Sequence, residues 1–355
     1  MHSEKNDFWA KTADELSVLM KTHFQQPAFR GRQVAEWLYK RGAKSFEDMI
    51  NLPQSLRLAL AAAAAETFNA PVVVDNLIST DQKTEKALLR LPDGAEIETV
   101  LMRQHYGNSV CVSSQVGCAM GCQFCASTKN GCERNLTRGE MLRQVFHFHR
   151  PNDDHARVSR VVIMGSGEPL LNYDEVLAFI RLLHEPSVIG MSYRHITLST
   201  CGLVEGIDRL ATENLPRNLA ISLHAANDAV RSQLMPVNVR YPISLVLAAA
   251  NRYANQTGRR VTYEYALIEG INNSRSDAMQ LAHLVLGQLA HVNLIPVNPI
   301  REKGFFPPSS SSVQAFVDVL EKSGVPVSVR KTMGDDIAAA CGQLRAQQLK
   351  ETYHS

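Results

Sequence analysis

The chain has 355 residues, enough for one large domain and a smaller companion. Hydrophobic residues make up 45% and charged residues 20%, as in an ordinary soluble globular protein, and no apolar run reaches membrane-spanning length. A formal net charge of +2 excludes a surface that is basic throughout, but it leaves room for local phosphate-binding patches.

The first residues lack the basic-then-apolar pattern of a secretion signal. Seven cysteines, an odd number, argue against a disulfide framework and for the reducing cytoplasm. Residues 1–70 read as a helical accessory domain: an amphipathic stretch surrounds Trp37 and Leu38, Pro53 starts a new helix, and an alanine run follows. Basic Arg30, Arg32, Lys40, Arg41 and Lys44 alternate there with Phe29, Trp37 and Tyr39. This composition suits RNA contact, but a charged, solvated helix face is its commoner meaning. Residues 71–108 read as a short β extension, with a Pro92-Asp93-Gly94 turn leading into Glu96-Ile97-Glu98-Thr99-Val100-Leu101.

From residue 109 to about 346 the pattern alternates between strand and helix. Predicted strands are 110–113, 158–164, 196–199, 219–223, 261–267 and 292–297, with helices between them at 173–183, 245–253 and 276–286. Six alternations predict an α/β fold, a partial (βα)6 TIM-like barrel. Residues 304–312, Gly-Phe-Phe-Pro-Pro followed by four serines, read as a polar loop. A last strand at 325–330 and a helix from Asp336 close the domain, and 347–355 form a tail.

Cys118, Cys122 and Cys125 follow the first barrel strand in C-x₃-C-x₂-C spacing. Three thiolates this close can converge on one metal centre. They are one ligand short of a closed tetrahedral zinc site or a fully ligated four-iron cluster, so a cluster held this way keeps one iron open. Cys132 is near enough to complete a four-cysteine zinc or ferredoxin-type site instead. Gly117 and Gly121 suit a tight loop around an inorganic group. The other strand ends carry Gly165-Ser166-Gly167-Glu168-Pro169, Ser199-Thr200-Cys201-Gly202, Ser222-Leu223-His224-Ala225 and Pro296-Val297-Asn298-Pro299. Each alone reads as a turn or cap. Together they put four polar groups where barrel enzymes keep their chemistry.

The cysteine spacing resembles that of the radical S-adenosylmethionine (SAM) enzymes. The longer phrases Val110–Cys118, Gly167–Tyr173, Ile221–Ala225 and Gly334–Leu344 resemble the RlmN/Cfr family of radical SAM RNA methyltransferases, from about Phe29 to Leu344. Gly-Glu-Pro-Leu, Ser-Leu-His-Ala and Val-Asn-Pro favour the RlmN branch, which methylates ring carbon 2 of adenosine. The Cfr branch methylates carbon 8 and confers antibiotic resistance. The resemblance implies a [4Fe–4S] cluster on Cys118, Cys122 and Cys125, and SAM bound by Gly167, Glu168, Ser199, Ser222, Leu223, His224 and Asn298. It implies two SAM molecules per turnover, one giving the methyl group and one the 5′-deoxyadenosyl radical. It also implies that Cys341 carries the methyl group to adenine as a methylene radical, that Cys111 resolves the resulting protein–RNA adduct, and that Glu98 takes the ring proton.

The implied partners are 23S ribosomal RNA, naked or in an assembling large subunit, transfer RNA as a further substrate, and a one-electron donor such as flavodoxin with its reductase. No membrane is implied. Ser166 stands where the family often has methionine, and Met333 where many relatives have arginine. Cys132 and Cys201 match no family role and are expected to be structural. A non-catalytic RNA-binding protein with a structural metal is the contrasting reading. It gives no use to Cys111, Cys341 and Glu98.

Overall fold

The computed structural model describes residues 7–337 except 70, 152, 154, 214, 216, 217 and 331–333. Three helices open it: α1 (Ala13–Phe24), α2 (Phe29–Glu36) and α3 (Gln54–Ala63). Thr12 starts α1 with a capping box, its hydroxyl accepting from Glu15 N while Glu15 accepts from Thr12 N. Tyr39 packs inside this module, fully buried, and donates its hydroxyl to the Lys11 carbonyl at 2.7 Å. Of the aromatic residues grouped in the sequence with the basic ones, Tyr39 is thus a core residue. Phe29 and Trp37 lie under guanidinium groups of Arg30 and Arg41, each 4.8 Å from the ring centroid.

Strands β1 (Val72–Ile78), β2 (Thr84–Arg90) and β3 (Glu96–Gln104) form an antiparallel meander. It continues without a break into β4 (Gly107–Cys111), antiparallel to β3. The hairpin strands β5 (Gln115–Gly117) and β6 (Cys132–Asn135) enclose the cysteine loop. The barrel then runs α4 (Arg138–Phe148), β7 (Val158–Ile163), α5 (Tyr173–His184), β8 (Ile196–Thr200), α6 (Val204–Ala211), β9 (Asn218–Ser222), α7 (Asp228–Leu234), α8 (Ile243–Thr257), β10 (Val261–Leu267), α9 (Arg275–Val285), β11 (Ala290–Pro296), α10 (Ser310–Lys322) and β12 (Val327–Val329). Neighbours β4, β7, β8, β9, β10, β11 and β12 pair in parallel, in chain order, within one ten-stranded sheet. The expected partial barrel of six strand–helix units is present, with β12 added at its far edge.

Residue alternation shows why the sheet curls around a usable interior. Ile196, Leu198, Leu219, Ile221, Val261, Tyr263, Tyr265, Val292 and Leu294 are buried against the surrounding helices. The intervening Thr197, Ser199, Ser222, Thr262, Glu264 and Asn293 face inward and are mostly polar. Such strands bury an apolar shell outside and keep a polar lumen inside. Two boundaries differ from the sequence reading. The first barrel strand begins at Gly107, because Asn108 and Ser109 pair with β7 despite their polarity. The serine run is a helix start: Ser309 caps α10 by accepting from Ser312 N.

Candidate active site

The loop between β5 and β6 carries the three cysteines. Gly117, at φ +75°, turns the chain where a Cβ would strike the Gly131 carbonyl at 2.1 Å, so glycine is required there. Cys118 N donates to that same carbonyl, Cys125 N donates to the Cys122 carbonyl, and Gln123 N donates to the Leu234 carbonyl across the barrel mouth. The loop is thereby held on both sides. Cys118, Cys122 and Cys125 share one cavity of about 220 Å³ with Gly167, Glu168, Ser199, Ser222, His224 and Asn298. This brings together most of the residues singled out in the sequence. Cys132 sits on the outer hairpin strand opposite Gly117 and does not line the cavity. Cys201 does line it.

The second loop is built on Glu168, which is 1% exposed. Its carboxylate accepts from Leu170 N at 3.0 Å and Cys201 N at 2.7 Å, tying the ends of β7 and β8 together. Burial pushes this carboxyl upward and the two N–H donors oppose the shift. Its side chain is thus spent on the scaffold, and what the Gly167–Glu168 segment offers the cavity is backbone. Gly167, at φ +110°, lies against Gln115, whose amide oxygen accepts from Glu168 N at 2.8 Å.

The third loop follows β9. Leu223 and His224 both donate their backbone N–H to the Glu264 carbonyl. Leu223 points into the core, fully buried, and stands outside the cavity lining, so only its main chain is near. His224 adopts φ +57°, packs edge-on against Phe124, and accepts from Ala266 N through Nδ1 at 2.9 Å. Asn272 clamps this turn by donating to the carbonyls of His224 and Ala266.

Burial holds the His224 pKa at about 3, with Arg231 adding to the shift. The unfolded chain therefore binds a proton near pH 6.5 that the folded chain refuses until about pH 3. Stability is full above pH 6.5 and falls as pH drops through that window. The loss from this group at pH 5.5 is about 1.4 kcal/mol. Urea unfolding at pH 7.5 and 5.5 is expected to show this difference, reduced in His224→Gln. An unchanged pH dependence in that variant would dismiss the role. His149, held at about 4 by burial, contributes in the same direction to both proteins.

Arg231 is the organising residue that sequence reading passed over. It is fully buried and donates to the carbonyls of Leu223, Tyr241, Cys201 and Ser222 and to Asn238 Oδ1. One guanidinium thus fixes the β8 and β9 loops together. Its only sequence signal is an arginine inside a short helix after the Ser-Leu-His turn. Gln144, likewise unsignalled, clamps Ser113 through both its N–H and its carbonyl.

The donor set fits an iron–sulfur cluster. The Cys201 thiol donates to the Cys122 sulfur and favours its thiolate, helped by the Arg231 charge. Burial pushes Cys118 up to about 12, so this thiol ionises only against a cation. Among the described residues, no three Cys, His, Asp or Glu side chains are arranged to hold a single metal ion. A four-iron cluster would take Cys118, Cys122 and Cys125 at three of its corners, which the shared cavity allows.

The remaining expected residues flank the cavity. Cys111 lies opposite Val100 and packs with Val100, Met102, Val162 and Met164, of which Met102 and Met164 line the cavity. Glu98 is on the same face of β3 as Val100, diagonal to Cys111 across the strand pair. It is 6% exposed and ion-paired with Lys86 at 3.4 Å. Cys341 and Met333 lie outside the described residues.

Comparison with known proteins agrees with this arrangement. Residues 112–282 match the radical SAM superfamily, and residues 12–65 match the ribosomal RNA large subunit methyltransferase N-terminal domain. A protein of Symbiobacterium thermophilum named a probable dual-specificity RNA methyltransferase RlmN is 50% identical over 94% of this chain and 89% of its own length. One of Pelotomaculum thermopropionicum with the same name is 50% identical over 89% and 85%. The crystal structure of a radical SAM methyltransferase from Sphaerobacter thermophilus superposes with a TM-score of 0.91 at 44% identity, covering 96% of this chain and 99% of that one.

Proposed function

Because this chain belongs to the RlmN family of radical SAM RNA methyltransferases, we propose that it methylates ring carbon 2 of adenosine in 23S ribosomal RNA and in transfer RNA. The observation that carries this reading is the single cavity shared by Cys118, Cys122, Cys125 and the polar strand ends. Cys118, Cys122 and Cys125 hold a [4Fe–4S] cluster with one open iron. The Gly167–Glu168 and Ser222–His224 backbones with the Ser199 and Asn298 side chains hold SAM beside it. When bound, the cluster supplies the electron that cleaves SAM, and with it the means of removing a hydrogen from an unactivated methyl group.

The protein's own residues supply the rest. Cys341 accepts a methyl group from a first SAM and delivers that carbon to adenine, so two SAM molecules are consumed per product. The delivery is covalent catalysis and leaves RNA bonded to the Cys341 sulfur through carbon. Glu98, oriented by Lys86, takes the proton from the ring carbon, and the one unpaired electron left on the ring returns to the one-electron carrier, so the adduct is closed-shell. The Cys111 thiolate then attacks the Cys341 sulfur; the sulfur–carbon bond breaks, its electron pair and a solvent proton complete the methyl group on the freed RNA, and a disulfide remains for an external thiol to reduce. The electron comes from a flavodoxin-type donor, and the cytoplasm supplies the reducing conditions that these thiols need. Among the described residues, no helix is long and apolar enough to cross a membrane.

The carbon-2 assignment is tested by anaerobic reconstitution on unmodified ribosomal and transfer RNA, with mass mapping of the product nucleoside. 2-Methyladenosine in both RNAs is expected, and 8-methyladenosine would assign the chain to the other chemistry. Asn298→Ala removes a hydrogen-bonding group from the SAM side of the cavity. Its loss is expected to weaken SAM binding by about 1–3 kcal/mol, measured by equilibrium titration. Unchanged affinity would take Asn298 out of the site.

A further inference from the structure

A second cavity opens at the other end of the barrel, where the strands begin. Its volume is about 600 Å³, and Thr197, Asn218, Arg259, Arg260 and Thr262 line it, with Glu264 at its inner end. It meets the reaction cavity at Met164 and Glu264, which line both. The residues proposed for methyl transfer leave it without a use.

Its chemistry is that of an oxyanion site. Arg259 and Arg260 are consecutive on the turn from α8 into β10. Arg259 reaches inward and donates to Asn218 Oδ1 at 2.7 Å, while Asn218 is itself anchored by donating to the Arg194 carbonyl. Arg160, two residues before Val162 on the same face of β7, lies over the Tyr106 ring and outside the lining itself. Among the described residues none of Arg160, Arg259 and Arg260 forms an ion pair. The Nε–H groups of Arg160 and Arg259 are buried with no hydrogen-bond acceptor among the described residues. Buried guanidinium donors without acceptors are costly, and a ligand with several acceptor oxygens satisfies them. Among the described residues, Glu264 is the one carboxylate in the lining. It also lines the reaction cavity and already accepts from Asn293 at 2.7 Å, so an anion would seat at the arginine end.

We propose that this basal cavity binds a phosphate group, held by Arg259 and Arg260 with Asn218 and Thr262 as neutral partners. The site is independent of the cluster, and its occupancy can be measured without methyl transfer. Two sources share this chemistry: a small phosphorylated molecule and the RNA backbone.

The test is calorimetric titration of the full chain with inorganic phosphate at physiological ionic strength. Saturable one-to-one binding is expected. Arg260→Ala and Arg259→Met should each weaken it roughly tenfold or more. Arg240→Ala, outside this cavity, should leave it unchanged. Arg260 is exposed, so its variant keeps the test decisive if Arg259→Met fails to fold. Displacement of phosphate by glycerol phosphate but not by oligouridylate assigns the site to a small molecule. Displacement by oligouridylate assigns it to RNA. No saturable binding up to about 10 mM, or binding that both arginine variants retain, would overturn the proposal.

Discussion

Replacing Cys111 with alanine is expected to stop product release without stopping the chemistry before it. The variant should still bind cluster and SAM, because Cys111 stands on β4 behind Met102 and Met164 and does not itself line the cavity. It should still carry a methyl group on Cys341 and still form the bond to adenine. What it lacks is the thiol that attacks the Cys341 sulfur. A covalent protein–RNA species should therefore accumulate to about one equivalent and turnover should cease. Denaturing gels before and after nuclease treatment would show it. Cys341→Ala should show neither the protein-bound methyl group nor the crosslink. Free methylated RNA released by Cys111→Ala at the normal rate would refute the resolving role.

Replacing any one of Cys118, Cys122 and Cys125 with alanine is expected to remove the cluster and, with it, SAM cleavage. The three come from one loop pinned by Gly117, the Gly131 carbonyl and the Leu234 carbonyl, and no other cysteine of that loop faces the cavity. Activity should fall to background, a loss of at least about 10⁴-fold. Iron and sulfide content and the visible absorption of the reconstituted protein measure the cause directly. Cys132→Ala, changed on the outer strand of the hairpin, should keep its iron. Retention of four irons in Cys118→Ala, or loss of them in Cys132→Ala, would contradict the ligand assignment.

Much of the fold was legible because its signals are local. The outward residues of the barrel strands are apolar and spaced by two, and the helices between them bury one stripe each. The strand starting at Gly107 was read late because Asn108 and Ser109 take their stability from β7, about fifty residues away, which local sequence does not report. Ser309–Ser312 read as loop because serine is common in turns, yet a serine is also the preferred helix cap.

The site divides in the same way. Three cysteines within eight residues announce a metal centre by themselves. Arg231 does not announce itself, since its role depends on four carbonyls from three separate loops. Cys201 read as structural, and only folding brings its thiol against Cys122. Tyr39 sits among basic residues along the chain but turns into the core, where its hydroxyl holds the chain before α1. In each case the sequence shows a residue type, and contacts from distant segments decide its use.

Passage of the methyl carbon through Cys341 on its way to adenine is recorded in the isotope content of the product. The enzyme is reconstituted anaerobically, supplied with SAM bearing a fully deuterated methyl group, and run until all methyl groups derive from that SAM. A methyl group that loses one hydrogen on Cys341 and regains one from solvent must arrive with two deuterium atoms. The expected product is 2-methyladenosine carrying two deuteriums by mass spectrometry, with the third in 5′-deoxyadenosine. Product retaining all three would mean direct transfer from SAM and would exclude passage through a Cys341 methylene.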